Sequence, residues 1–429
     1  MRSPAIPNES ANVSRLQQFA AALFALTVFS LGFMKPSFRL FGVILTPTDI
    51  LFPIVSISFA ALIAIGARTI KNDPIYKFLA LFVGAMAVST IFSVDTGRSA
   101  IQLVGEVYLT GLCVLTINFI ASEKDKRFVV MAWLAGSIIP VVVGLAALIV
   151  FYADSDNSYL NLVTSHYGAV PVGNYPRLSS TFVSASMFCN YLNVTFFMLV
   201  LAKENRWLSS KTFAAGAIAT IICAVFTISS GLGAVILSVG FYFLYKIRRN
   251  HRTVGHILFA ASAAAAIAIF SLSFIEIAGL PEDYVVSSNS LHPSPRVFLW
   301  RDAVQTFLAH PLVGKGVGAP AANVLYENAE GTTSLLTDAH NVFLNVAAEA
   351  GIFGIAALLA LCVYIVRTIT GKLNDVQVRG DQLWLVTAFA AAFLLQGLTS
   401  SFDDARHLWV LVGLLAANRC LESNKEPVK

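Results

Sequence analysis

A histidine and an asparagine, His340-Asn341, stand where a polar stretch gives way to an apolar run in TDAHNVFLNVAAEAGIFG (337–354). An imidazole at its ordinary pKa of about 6.5 is suited to general-base work near neutral pH. Four arginines hold comparable positions at the edges of apolar runs or in a polar loop. They are Arg177 in YPRLSSTF, Arg296 and Arg301 in RVFLWRDAVQTFLAH, and Arg406 at the start of the last run. Arginine keeps its charge at any relevant pH and grips phosphate oxygens two at a time. Several on one face with His340 would suit a diphosphate ligand. Glu349 precedes Gly351-Ile352-Phe353-Gly354, whose glycines read as a break in the helix. The carboxylate then sits at the joint, either as a proton carrier or simply wetted by the break. Residue types alone also admit a plainer reading: arginines as anchors at a wet interface, Asn341 or Asp338 as a helix N-cap, and His340 a bystander.

Which reading applies depends on what positions these residues. Of the 429 residues 57% are apolar and 12% charged, with a mean hydropathy of +0.73. A soluble domain is about a quarter charged, so this composition belongs to a polytopic membrane protein. A crossing needs about 20 apolar residues. Such runs fall near 17–34, 40–66, 77–94, 101–121, 128–152, 186–203, 211–229, 232–247, 256–278, 341–366, 383–400 and 405–419. They are continuous rather than alternating, which predicts helices and an all-α fold of about twelve transmembrane helices, not barrel strands. With the N-terminus inside, 21 of the 29 Lys and Arg residues fall in inner loops and eight outside, three of those in one long loop. The positive-inside rule then predicts that both termini are cytoplasmic. The net charge of +5 is accounted for by this inner collar meeting anionic membrane lipids, and calls for no nucleic-acid partner.

The chain reads as a single membrane domain, 1–429, with two elaborated outer connections, 152–185 and the larger 279–340. Connections this long are functional or disordered more often than not. Within the second, Val297, Trp300, Val304, Phe307 and Leu308 share one helical face, which predicts a helix lying on the membrane surface or on the bundle. HPLVGKGVGAP then breaks it. Cys113, Cys189, Cys223, Cys362 and Cys420 lie in or beside apolar runs, with neither a disulfide framework nor metal-ligand spacing. No metal site or cofactor is expected. Asp154-Ser155-Asp156 reads as a solvated loop, and Asp403-Asp404 lacks a third carboxylate cluster and is free to pair with Arg406. Gly314-Lys315-Gly316-Val317-Gly318 lacks the strand-turn-helix context of a phosphate loop. Ser229-Ser230-Gly231 and Thr399-Ser400-Ser401 read as turns at helix ends.

Four stretches, in order, resemble the O-antigen ligase and polymerase family, which includes exopolysaccharide polymerases. They are RLSSTFVSASMFCNYLN (177–193), TISSGLGAVIL (227–237), RVFLWRDAVQTFLAHPLVGKGVG (296–318) and AHNVFLNVAAEAGIFG (339–354). Together they span 177–354, while the first 150 residues match in apolar character alone. The sequence departs from the pattern at Ser230, where members often carry Arg, and at VSASMFCN, which replaces an Asn-Pro-Asn-like stretch. The resemblance implies a GT-C-like, metal-independent, inverting glycosyltransferase whose donor is a glycan on undecaprenyl diphosphate. It would act at the periplasmic face of the bacterial inner membrane. In that role Arg177 and Arg296, supported by Arg301 or Arg406, would hold the diphosphate. His340 would orient or deprotonate the acceptor hydroxyl, with Asn341 and Glu349 positioning. The acceptor implied first is a lipid A-core sugar, as in a ligase; a polymerase would use a second lipid-linked glycan. A transporter or flippase, which helix count alone admits, would place charges near the midplane and show internal symmetry; the sequence has neither.

Overall fold

The computed structural model describes residues 7–40, 43–154, 157–167, 175–247, 251–278, 290–327, 333–370, 379–402 and 405–423. Helices dominate: α1 (Pro7–Phe29), α2 (Pro47–Ala64), α3 (Ile75–Ile91), α4 (Thr96–Phe119), α5 (Glu123–Ala153), α6 (Ala185–Glu204), α7 (Ser210–Val225), α8 (Leu232–Ile247), α9 (Arg252–Leu272), α10 (Pro295–Ala309), α11 (Val342–Thr370), α12 (Arg379–Phe389) and α13 (Arg406–Ser423). Each of the twelve apolar runs overlaps one of these helices, although 40–66 begins in strands before α2 and 256–278 ends in a strand after α9; α10 is the helix expected in the long connection. Among the described residues eight are long and apolar enough to cross a membrane: α1, α2, α4, α5, α6, α9, α11 and α12 with its continuation to Leu398. The apolar helices α3, α7 and α8 are shorter, and α13 carries Arg406, Arg419 and Glu422. The protein is an all-α polytopic membrane protein in which, among the described residues, sheet is confined to two-stranded hairpins.

The core forms around α6, whose membrane window is 94% buried against 6% for α9. Lipid gives helices no hydrophobic reason to associate, so close packing and polar contacts must hold them. The α8–α9 pair packs through small residues, with Gly233 against Ala266 and Gly240 against Ser262. A buried polar cluster fastens α6 to α12 and α13. Beyond Phe389 the helix widens into a π-helical turn, Ala390–Leu395, and the Asn190 amide donates to the Ala392 carbonyl there at 2.7 Å. Asn190 also donates to Gln396 Oε1 at 2.5 Å and accepts from His407 Nε2 at 2.7 Å. Gln396 in turn donates to the Gly231 carbonyl at 2.8 Å. A widened turn leaves backbone groups that side chains must satisfy inside an apolar bundle.

Contacts sort the helix ends onto two faces. On one, Lys126 at the start of α5 pairs with Asp381 at the start of α12 at 2.7 Å, and Arg419 near the end of α13 pairs with Asp73 ahead of α3. The other face carries the hairpins: β1 (Phe38–Leu40) with β2 (Val43–Leu45), β3 (Thr164–Tyr167) with β4 (Tyr175–Leu178), β5 (Ile275–Ala278) with β6 (Ser290–Pro293), and β7 (Val324–Glu327) with β8 (Thr333–Leu336). All are antiparallel. On this hairpin face α10 packs on α11, but not by the face read from the sequence. Leu299 and Ala303 are buried, whereas Val297, Val304 and Leu308 stay exposed. The small Ala303 permits close approach; Trp300 and Phe307 are half-buried, and Val297, Val304 and Leu308 are turned outward.

Candidate functional site at the hairpin face

Backbone geometry puts His340 in an unusual place. Its φ is +51°, in the left-handed region that a side-chain-bearing residue enters at a cost unless neighbours impose it. Those neighbours are identifiable. The His340 N–H donates to Asp338 Oδ1 at 2.6 Å, and the same oxygen accepts from Asn345 Nδ2 at 3.0 Å and from the Ser401 hydroxyl at 2.5 Å. Asn345 Oδ1 accepts the Ala339 N–H at 2.9 Å. On the other side, Asn341 Oδ1 caps α11 by accepting the N–H groups of Phe343 at 3.0 Å and Leu344 at 3.2 Å. Its amide donates to the Leu398 carbonyl at 3.2 Å. His340 is therefore held between two anchored residues, with the end of α12's continuation as a brace.

The imidazole keeps an exposed edge, yet enough protein surrounds it that desolvation is the largest influence on its basicity and lowers it below the usual 6.5. Asp338 opposes this, while Arg296 and Arg177 add to it. The cationic form is disfavoured, and both arginines lie near enough for their charge to be felt. Arg177 sits in β4 opposite Ser165, and Leu178 beside it ties the strand to the Phe226 carbonyl at 2.8 Å. Arg296 opens α10 just after Ser294, the helix cap, and its guanidinium donates to the Ser273 carbonyl at 2.9 Å. Two residues 119 positions apart in sequence are thus brought to one histidine.

Glu349 lies where the sequence expected a joint. The helix does break at Gly351, with φ +62° and ψ −158°. The glycine-rich segment after α10 wraps the break. Lys315 N–H donates to the Ala348 carbonyl at 2.9 Å, Gly316 N–H to the Glu349 carbonyl at 3.0 Å, and Ile352 N–H to the Pro311 carbonyl at 2.8 Å. The Glu349 carboxylate accepts the Gly318 N–H at 3.0 Å, which makes it a clamp on this segment. A Cβ on Gly314 would come within 2.2 Å of the Glu349 backbone, and one on Gly351 within 2.4 Å of Leu312. The glycines belong to a backbone-on-backbone splice.

Arg406 and Arg301 lie apart from this arrangement. Arg406 forms a two-pronged ion pair with Asp49 at the start of α2, Nε to Oδ1 at 2.7 Å and Nη2 to Oδ2 at 2.8 Å, with Tyr108 beneath it. Among the described residues its carboxylate partner is this distant aspartate; Asp403-Asp404 lies outside the described residues, as do Ser155 and Asp156. Arg301 is exposed and lines an open groove of about 470 Å³ between α10 and the start of α11. A second groove, about 330 Å³, runs between α8, α9 and the end of α12's continuation. It is lined by Gly233, Ala234, Leu237, Ala266, Ile267 and Leu398 among others, and by Ser230, where the sequence departs from the pattern it resembles. Among the described residues no three His, Cys, Asp or Glu side chains gather into a metal-holding group, and all five cysteines are free thiols.

The sequence reading missed Asn345 and Ser401 and gave Asp338 only a capping role. Asn345 at four residues from Asn341 was a legible signal, one helical turn along the same face. Ser401 had none, being 63 positions from Asp338.

The hairpin face thus brings the charges of Arg177 and Arg296 to bear on His340, at the end of a helical bundle of membrane-spanning length. Residues 214–359 match the family model described as O-Antigen ligase, a stretch that contains Arg296, the glycine-rich splice, His340 and Glu349 but leaves Arg177 outside. No curated protein matches the chain. The family match, over about a third of the chain, supports the resemblance to the O-antigen ligase and polymerase family.

Proposed function

We propose that this protein is an O-antigen ligase-type glycosyltransferase that moves a glycan from undecaprenyl diphosphate to a sugar hydroxyl of lipid A-core. The observation that carries the proposal is His340, fixed in a strained backbone conformation and flanked by the charges of Arg177 and Arg296. The hairpin face is then periplasmic, both termini are cytoplasmic, and the protein resides in the bacterial inner membrane.

In the reaction, the acceptor oxygen attacks the anomeric carbon of the donor sugar from the side opposite the diphosphate. The bond from that carbon to the diphosphate oxygen breaks, and its electron pair leaves with the diphosphate. Attack from behind inverts the anomeric configuration. The charge that develops on the leaving oxygen is met by Arg177 and Arg296, prepositioned donors whose value is greatest where water is excluded. The acceptor proton passes to His340, which is neutral at physiological pH and so able to take it. Asn341 and Asp338 fix the backbone on either side of His340, and Glu349 holds the splice. The aliphatic groove beside Leu398 suits the polyprenyl chain, running from the bilayer toward Asn341.

The test is reconstitution of purified protein with undecaprenyl-diphosphate-linked glycan, with and without lipid A-core. Transfer to the core is expected. Chain growth without core would make the protein a polymerase, and absence of transfer in every combination would reject glycosyl transfer altogether.

A further inference from the structure

The two grooves at the hairpin face meet at one hydrogen bond. Asn341 lines the first, Leu398 lines the second, and the Asn341 amide donates to the Leu398 carbonyl at 3.2 Å. His340 is the residue next to that divide. The walls differ in chemistry. Around Leu398 they are mostly aliphatic and small, with Gln396 already engaged with the Gly231 carbonyl, and they suit a hydrocarbon chain. The other groove is lined by Trp300, Arg301, Val304, Gln305, Asn341 and Phe343, with Leu344. Two aromatic rings offer flat apolar surface, and a guanidinium and an amide stand exposed at the rim. Arg301 and Gln305 form no hydrogen bond or ion pair among the described residues. The Trp300 indole N–H is shielded from water without a partner, and a donor left so in a native structure calls for one. Apolar ring faces combined with a few convergent donors are what a pyranose requires: C–H groups pack on the aromatic, and hydroxyls take the hydrogen bonds. A lipid tail has no use for the arginine and the glutamine.

We infer that the groove between α10 and α11 is the acceptor subsite, seating a pyranose ring of a lipid-anchored glycan with its free hydroxyl turned toward His340. This rests on the glycosyl-transfer reading above. It reassigns Arg301 from the diphosphate to the acceptor, and it accounts for α10 as the wall of a sugar site. The acceptor ring can come from lipid A-core or from a second lipid-linked glycan, and the shared chemistry is the exposed pyranose.

The subsite is tested by transfer kinetics with donor saturating and acceptor varied, in one series with lipid A-core and in another with lipid-linked glycan alone. Gln305→Ala and Arg301→Ala alter exposed side chains and should fold normally. Each should raise the acceptor KM several-fold, and Trp300→Ala about tenfold, the scale of a lost aromatic contact or hydrogen bond. Donor KM and kcat should stay within about twofold, given that the groove touches neither the diphosphate nor the proton. Trp300→Phe, which keeps a ring, should restore most of the affinity. Gln305→Trp, which fills the groove, should block acceptor use while donor binding persists. Unchanged acceptor KM in both Gln305→Ala and Arg301→Ala, with an active wild type, overturns the subsite and leaves the transfer reading intact. A rise confined to donor KM also overturns it. A wild type that transfers to neither acceptor removes both.

Discussion

His340 carries a pH signature that follows from its surroundings. Burial and the charges of Arg296 and Arg177 lower its pKa, so the neutral, proton-accepting form prevails through the neutral range. Transfer should therefore be flat near pH 7 and fall only as pH drops through a limb below about 6.5. Arg177→Gln removes a positive charge that opposes protonation, so its residual activity should show that limb at higher pH, alongside a rate loss of about 10²–10³. Bound diphosphate offsets the same charges, so the limb in kcat should lie above the limb in kcat/KM. A limb that moves downward in Arg177→Gln would remove His340 as the base. The residue types His340, Arg177 and Arg296 were legible in the sequence because each is unusual at the edge of an apolar run. Their support was not. Asp338, Asn345 and Ser401 converge on one another from two separate segments, and nothing local in a Thr-Ser-Ser turn announces that. Arg406 looked equivalent to the others, and only its pairing with Asp49 distinguishes it. That pair is nearly buried, with side-chain exposures of 13% and 11%. Arg406→Ala should cost about 3 kcal/mol or more by stranding the aspartate, and adding Asp49→Leu should recover much of it. Thermal unfolding in detergent reads both.

Among the elements, α11 shows how a helix break can be built into a membrane bundle. Gly351 at φ +62° leaves neighbouring backbone groups without helical partners, and the segment 311–318 supplies them. Gly351→Ala combines a forbidden backbone region with a clash against Leu312, and it should sharply reduce folded yield. Gly84→Ala, with open space around it, should be tolerated. Glu349 gives a cleaner contrast. As a clamp on the Gly318 N–H it can be replaced by Gln, which retains an accepting oxygen, while Glu349→Ala should lose activity and heat stability together. Were Glu349 a proton carrier, Gln would be as damaging as Ala. The apolar runs and the break were legible because continuous hydropathy and Gly-x-x-Gly are local signals. The packed face of α10 was not, since Leu299 and Ala303 are buried for the shape of their neighbour and not for their share of the helix's hydrophobicity.

At the scale of the molecule, the ionic clusters Lys126–Asp381 and Arg419–Asp73 bind the ends of the helices on the face opposite His340. That division predicts topology: cysteines introduced at Tyr159 or Leu325, both exposed near hairpins, should react with impermeant thiol reagents from the periplasm, and one introduced at Arg206 should not. Reaction of all three from one side would invert or refute the arrangement. EDTA should leave transfer unchanged, because guanidinium groups supply the positive charge; strong inhibition would redirect attention to Asp403-Asp404. A consequence also follows from how thinly α9 is covered, 6% of its membrane window against 94% for α6. Under the proposed function, the groove beside it would border the bilayer, and a lipid-borne donor would arrive and its spent carrier depart sideways, by diffusion in two dimensions. Turnover should then be tied to the fluidity of the membrane, and a stiffer bilayer should slow transfer without touching any catalytic group.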